Sequence, residues 1–284
     1  MTDTSHAGLS YCGDLIRRYD RDRFLTCLFA PPERREGLFA LFAFNHEIAK
    51  VPEVVTEPIT GQIRIQWWRE ALDGLYAGTP RKHHVAEPLS AAIRRYDLTR
   101  MHFERVLDAR EQDLDSDPPS DLNALEAYAD ATSGAVTQLA LEVLGARDET
   151  SQRAGYHVGV AWALTGLARA VPYHAAQRRL MLPADLAAVA ELDPHDLFEL
   201  RQPPEVRPIV ARIAERANAH LDSARHDRHA IPKAARPALL PATIATGYLR
   251  LIARADNDPF AETVQNRLPG RGWRLLWGAA TGRY

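Results

Sequence analysis

Cysteine is scarce in this chain: Cys12 and Cys27 are the only two among 284 residues. Two thiols outside any C-x-x-C motif give neither a disulfide framework nor a redox motif, so a reducing compartment is expected. No stretch approaches the roughly 20 uninterrupted apolar residues that a membrane-spanning helix needs. Any membrane contact is therefore expected to be peripheral. Alternating β-branched runs are almost absent, which argues against a sheet. An excess of one charge is missing too. The 35 Lys and Arg against 37 Asp and Glu leave a formal net charge of −2, which excludes the basic profile of a general nucleic-acid binder. The segment Met1 to His6 lacks the basic and apolar stretches of a signal peptide, and its acid argues against a transit peptide. The expected location is the cytoplasm.

What is present points to helices. Apolar residues make up 46% of the chain, ample for a core, and alanine, leucine, arginine and glutamate are good helix formers. Pro31-Pro32 opens a helix expected from Glu33 to Lys50, and Pro52 should end or kink it. Pro58 opens the next, closing near Gly78. Shorter helices are expected over Val85–Tyr96 and Thr99–Asp113. Asp121 is an N-cap candidate for one long helix ending near Gly145, and another should run from Ser151 to Val171, broken by Pro172. Short helices follow around Leu186 and Leu197. Longer ones run through Ile213 and Leu221, and then up to Arg254. No repeat, low-complexity block or linker divides the chain, so one all-α domain over 1–284 is expected.

Histidines and acids offer few candidate sites. His226-Asp227-Arg228-His229 lacks zinc spacing and a third ligand. His46-Glu47 is no metalloprotease motif, because Lys50 stands where a second histidine would. His83-His84 is read as surface. Glu104/Asp108, Glu126/Asp130 and Glu53/Glu57 have the i,i+4 spacing of shared-cation pairs, but exposed acids at that spacing are ordinary. Trp67-Trp68 is read as core, with one ring at a pocket wall. The tail, 268–284, sets Trp273 and Trp277 among arginines. Indoles and arginines in this pattern suit a membrane interface or a partner surface.

Two segments carry more information. One reads Leu38 to Glu53, with Asn45-His46-Glu47-Ile48-Ala49-Lys50-Val51-Pro52-Glu53 at its end. The other reads Ala163 to His174, ending Arg169-Ala170-Val171-Pro172-Tyr173-His174. Both resemble the two metal-binding helices of the squalene/phytoene synthase family. The order of further fragments agrees: Gln66 to Leu72, Asp108 to Leu114, Tyr128 with Ser133 to Val136, and Arg178 to Pro183. The resemblance implies an isoprenoid-synthase helical bundle around an apolar cavity. It also implies a DxxxD-type motif in each helix, where Mg²⁺ would neutralise a diphosphate leaving group. Here the matching positions are Ala49 with Glu53, and Ala170 with His174. Alanine deletes a ligand, histidine is a poor one for Mg²⁺, and Lys50 places a cation beside the first site.

A degenerate member, non-catalytic or weakly catalytic and without cofactor or metal, is therefore expected. Phe42, Asn45, Tyr128, Val136 and Tyr173 would line the cavity. Arg35, Arg169 and Arg179 would meet an anionic head group, since guanidinium forks pair well with phosphate. Ala43 to Ala49, Arg169 to His174 and the Trp-rich tail further resemble the branch of this family implicated in respiratory complex I assembly. That branch implies a complex I subunit or assembly intermediate as partner, a prenyl or lipid ligand and, with no transit peptide expected, a peripheral place at the inner face of a bacterial inner membrane. The rival expectation is a prenyl-diphosphate-coupling transferase with a rearranged Mg²⁺ site.

Overall fold

Caps and prolines set the helix boundaries. A computed structural model describes residues 8–55, 57–115 and 117–284; the opening Met1 to His6 lies outside the described residues. Ser10 accepts from the backbone of Gly13 to start α1 (Tyr11–Tyr19), and Asp20 does the same for α2 (Arg21–Cys27). Pro32 begins α3 (Pro32–Ala49), and a short α4 (Val51–Val54) follows at once. α5 (Pro58–Ala77) starts on its proline and stops at Gly78, whose φ of 78° is the left-handed C-cap geometry that glycine adopts freely. α6 (Ala86–Tyr96) and α7 (Arg100–Glu111) come next. Asp121 caps α8 (Leu122–Ala129).

The long helix expected from Asp121 to Gly145 is interrupted. A π-helical segment, Asp130–Gly134, separates α8 from α9 (Ala135–Leu144). Asp148 then caps the central α10 (Glu149–Arg169), and α11 (Val171–Ala176) restarts after Ala170. The chain continues through α12 (Ala184–Val189), α13 (Pro194–Phe198), α14 (Val206–His226), α15 (Arg236–Leu239), α16 (Pro241–Arg254), α17 (Glu262–Gln265) and α18 (Arg271–Thr281). No strand occurs among the described residues.

Two helices organise the interior. α3 is buried all round from Gly37 to Asn45, the signature of a helix inside a core rather than on its surface. Phe44 meets Trp68 and Phe103 edge-on, each at 5.2 Å between ring centroids. α10 packs against α14, α9, α16, α8 and the π segment. At one crossing a Cβ on Gly159 would lie 2.6 Å from the Gly134 Cα, so these two backbones touch.

The tail is fixed rather than loose. α18 lays Leu275 and Gly278 against α16, Arg271 pairs with Asp22 at 2.6 Å, and the Tyr284 hydroxyl donates to the Ala224 carbonyl. Its outer face leaves Trp273 and Trp277 79% and 66% exposed, with Leu276 between them. Among the described residues no helix is long and apolar enough to cross a membrane.

Candidate functional site

Both motif helices break at the same point, and the breaks build a cleft. α3 ends on Ala49 and α4 starts again at Val51 with Pro52 in its first turn; α10 ends on Arg169 and α11 starts again at Val171 with Pro172 in its first turn. Proline lacks the N–H that would continue the ladder, so a restart is the expected response. The i,i+4 pairs are split by these breaks, yet Ala49, Glu53, Ala170 and His174 all border one cavity of about 290 Å³. Tyr128, Tyr173 and Arg179 border it as well.

A polar cluster forms one wall, joining Tyr128 and Arg179, both named from the sequence, to Arg110 and Asp113, which were not. Asp113 is buried, and two guanidiniums reach it: Arg110 at 2.9 Å and Arg179 at 3.3 Å. The Tyr128 hydroxyl accepts from Arg110 at 2.6 Å and donates to Asp113 at 2.9 Å. Burial works against the Arg110 charge, but Tyr128 and Asp113 outweigh it and hold the group above its ordinary pKa. Burial also raises the Tyr128 pKa, so the hydroxyl stays protonated. Across the cleft, Arg23 is buried over the Phe42 ring and donates to the Ser133 hydroxyl at 3.2 Å, from the π segment. Burial and the nearby Arg179 push His174 down to about 4, so its imidazole is neutral at pH 7. Its Nδ1 and the Nε of Arg110 are buried without a hydrogen-bond partner among the described residues. Tyr173 borders the cleft and is partly exposed, its pKa raised by burial and then by the nearby Glu53 carboxylate.

Five residues named from sequence stand elsewhere. Arg35 donates to the carbonyls of Ala30 and Leu28, both at 2.9 Å, and so closes the turn before α3. Arg169 turns away from the cleft, lies 3.5 Å from the Tyr248 ring centre and donates to the Val264 carbonyl. Phe42, Asn45 and Val136 are buried and do not border the cleft. Trp68 is core, and both it and Trp67 line a separate groove with Glu47, Arg64 and His83. His83 does more than sit on the surface: its Nδ1 accepts from the Val85 backbone at the start of α6. Of the added residues, Arg110 and Asp113 lay in a segment already conspicuous in the sequence. Arg23 carried no local signal.

The cleft does not fit a magnesium pair. Glu53 and Asp113 are the carboxylates on its wall. The lone pairs of Asp113 already serve two guanidiniums and a phenol, and those guanidiniums oppose a second cation. Hard divalent ions need several free oxygen donors. The other acid pairs do not rebuild the site. Glu104 and Asp108 pair with Arg100 and Arg69; Glu126 pairs with Arg216 and His220; Asp130 pairs with Arg105. Glu57 precedes α5, outside this cleft. Among the described residues, no group of three or more His, Cys, Asp or Glu is placed to hold a metal ion.

Comparison with known proteins agrees with this geometry. A family model described as squalene/phytoene synthase matches residues 16–277. The chain is 35% identical over 257 residues to "NADH dehydrogenase (ubiquinone) complex I, assembly factor 6" of Bos taurus, covering 90% of this chain and 77% of that one. It is 26% identical over 195 residues to "Presqualene diphosphate synthase" of Rhodopseudomonas palustris, covering 68% and 69%. A dehydrosqualene synthase structure superposes with a TM-score of 0.82 at 19% identity, covering 95% of this chain and 94% of that one. A squalene synthase from Alicyclobacillus acidocaldarius does so with 0.77 at 20%, covering 88% and 94%. These structural likenesses show the fold.

Proposed function

We propose that this chain, which belongs to the squalene/phytoene synthase family, serves in the assembly of NADH:ubiquinone oxidoreductase and does not couple prenyl diphosphates. The observation that carries the reading is the cleft itself. Three of the four positions that would hold metal in a catalytic relative are Ala49, Ala170 and His174, and the nearest buried carboxylate, Asp113, is committed to arginines. Ionising an allylic diphosphate leaves a polyanion that needs such a metal. The match to the assembly factor supports the same reading. It is longer and closer than the match to the presqualene diphosphate synthase.

The partner is a complex I subunit or assembly intermediate, and the cleft holds a prenyl or other lipid chain rather than a reacting substrate. α18 supports work at the inner face of a bacterial inner membrane. Trp273 and Trp277 stand outward beside Arg274, and no acidic residue follows Glu262. Exposed indoles at the headgroup level with arginines nearby favour an anionic lipid surface.

The test is a deletion strain. Membranes lacking the protein are expected to lose most NADH:quinone oxidoreductase activity, and re-expression should restore it. Intact activity in the deletion strain would overturn the assembly role.

A further inference from the structure

Two histidines meet between helices, outside the cleft. His157 of α10 and His220 of α14 bring their Nδ1 atoms within 2.9 Å of each other. His220 is buried, and its other nitrogen, Nε2, lies 3.2 Å from the Glu126 carboxylate of α8. Arg216, also on α14, pairs with the second oxygen of Glu126. The Tyr156 hydroxyl reaches the same carboxylate at 3.5 Å. One chain of polar groups, His157 to His220 to Glu126 to Arg216, therefore ties three helices together.

The protons of this chain can be counted. An ionised carboxylate only accepts, so His220 donates to Glu126 from Nε2. In the neutral ring that leaves Nδ1 with a lone pair, and His157 must supply the hydrogen between the two rings. One added proton fits. It goes to the Nε2 of His157, which has no partner among the described residues, or to His220 when His157 adopts its other tautomer. A second does not fit, because two N–H groups would then face each other across 2.9 Å. Burial lowers the pKa of both rings; His220 lowers that of His157 further, while Glu126 acts in the opposite sense on each. The charged groups facing the pair are Arg153 of α10, Arg216 of α14, Glu126 of α8 and Asp130 of the π segment. Asp130 is itself paired with Arg105 of α7.

We propose that His157 and His220 form an acid-sensitive joint, able to take up one proton but not two, so that falling pH weakens the hold of α14 on α10 and α8. In the unfolded chain each imidazole takes up a proton near a pH of about 6.5. The unfolded chain then binds one proton more than the folded one, and stability falls as pH drops below that value. One excluded proton raises the unfolding equilibrium constant about tenfold per pH unit. The joint adjoins the cleft. Glu126 stands in the last turn of α8, which carries Tyr128 and runs into the π segment, so the loosened helix is the one that forms this side of the cleft wall. The joint is independent of the assembly role.

Urea unfolding of the full-length protein at a pH of about 7.5 and again at about 5.5 tests it, with His157→Asn for comparison. Asparagine sets an amide where the Nδ1 of His157 stands. The amide donates to His220 while that ring is neutral and accepts from it once charged, so the exclusion is lifted. The acid-induced rise in the unfolding constant is expected to be about tenfold larger in the unaltered protein than in the variant. His46, His102 and His174, whose pKa values burial also lowers, titrate alike in both proteins and cancel. An equal rise in the two proteins would overturn the proposal. Nitrogen NMR of the imidazoles gives a second reading in the folded, unaltered protein and needs no variant. At a pH of about 5.5 one ring of the pair is expected to remain neutral. Two charged rings in the folded state at that pH would sink the joint.

Discussion

Asp113→Ala is expected to destabilise the fold by about 3 to 5 kcal/mol, the usual cost of removing one partner of a buried ion pair. The carboxylate is 6% exposed and is the only acid within salt-bridge distance of Arg110 and Arg179 among the described residues. Without it Arg110 keeps a charge in a site where burial already opposes that charge. Tyr128 would also lose its acceptor. The loss should appear in thermal unfolding as a drop on the order of 10 °C. Asp113→Asn, which keeps the shape and one acceptor oxygen, should lose less. A change below about 1 kcal/mol for the alanine variant would place Asp113 among ordinary surface ion pairs and remove the basis for the cluster.

Gly159→Ala is the second large effect. The added Cβ would lie 2.6 Å from the Gly134 Cα, 2.9 Å from the Gly134 nitrogen and 2.9 Å from the Ser133 carbonyl oxygen. All three are backbone atoms, so no side chain can swing aside, and α10 must move from the π segment. Overpacking of this kind costs about 1 to 3 kcal/mol, and the upper end is expected here. The consequence should reach the cleft, because Ser133 and Thr132 border it from one side of this contact and Trp162 and Ala163 from the other. Thermal unfolding together with farnesyl diphosphate titration would read both effects. Unchanged stability would show that the two helices are not in close contact.

The residues that resisted sequence reading resisted for physical reasons. Pro58 with Gly78, and Asp121 as a cap, act through their own backbone or the next turn, so α5 and the start of α8 could be placed from local chemistry. Pro52 and Pro172 likewise announced the two breaks. The π segment gave no such signal; it lies where Gly159 of α10 meets Gly134, a contact between residues distant in sequence. Arginines were hardest to place. Arg169 sits in a motif facing the cleft, but its long side chain finds Tyr248 and Val264 from distant parts of the chain. Arg35 satisfies carbonyls at the end of α2 instead of a ligand. Arg179 reaches the cleft because the turn after α11 brings it beside Asp113. Asp113 was visible as part of an acidic segment, but only the fold shows it serving two guanidiniums rather than a metal.

The central claim is that the cleft has lost metal-dependent ionisation. Pyrophosphate release from farnesyl and geranylgeranyl diphosphate, measured with Mg²⁺ and again with chelator, tests it most directly. No release above background under either condition is predicted, because Ala49, Ala170 and His174 offer no carboxylate and Asp113 is occupied. Release that Mg²⁺ supports and chelator abolishes would contradict the account.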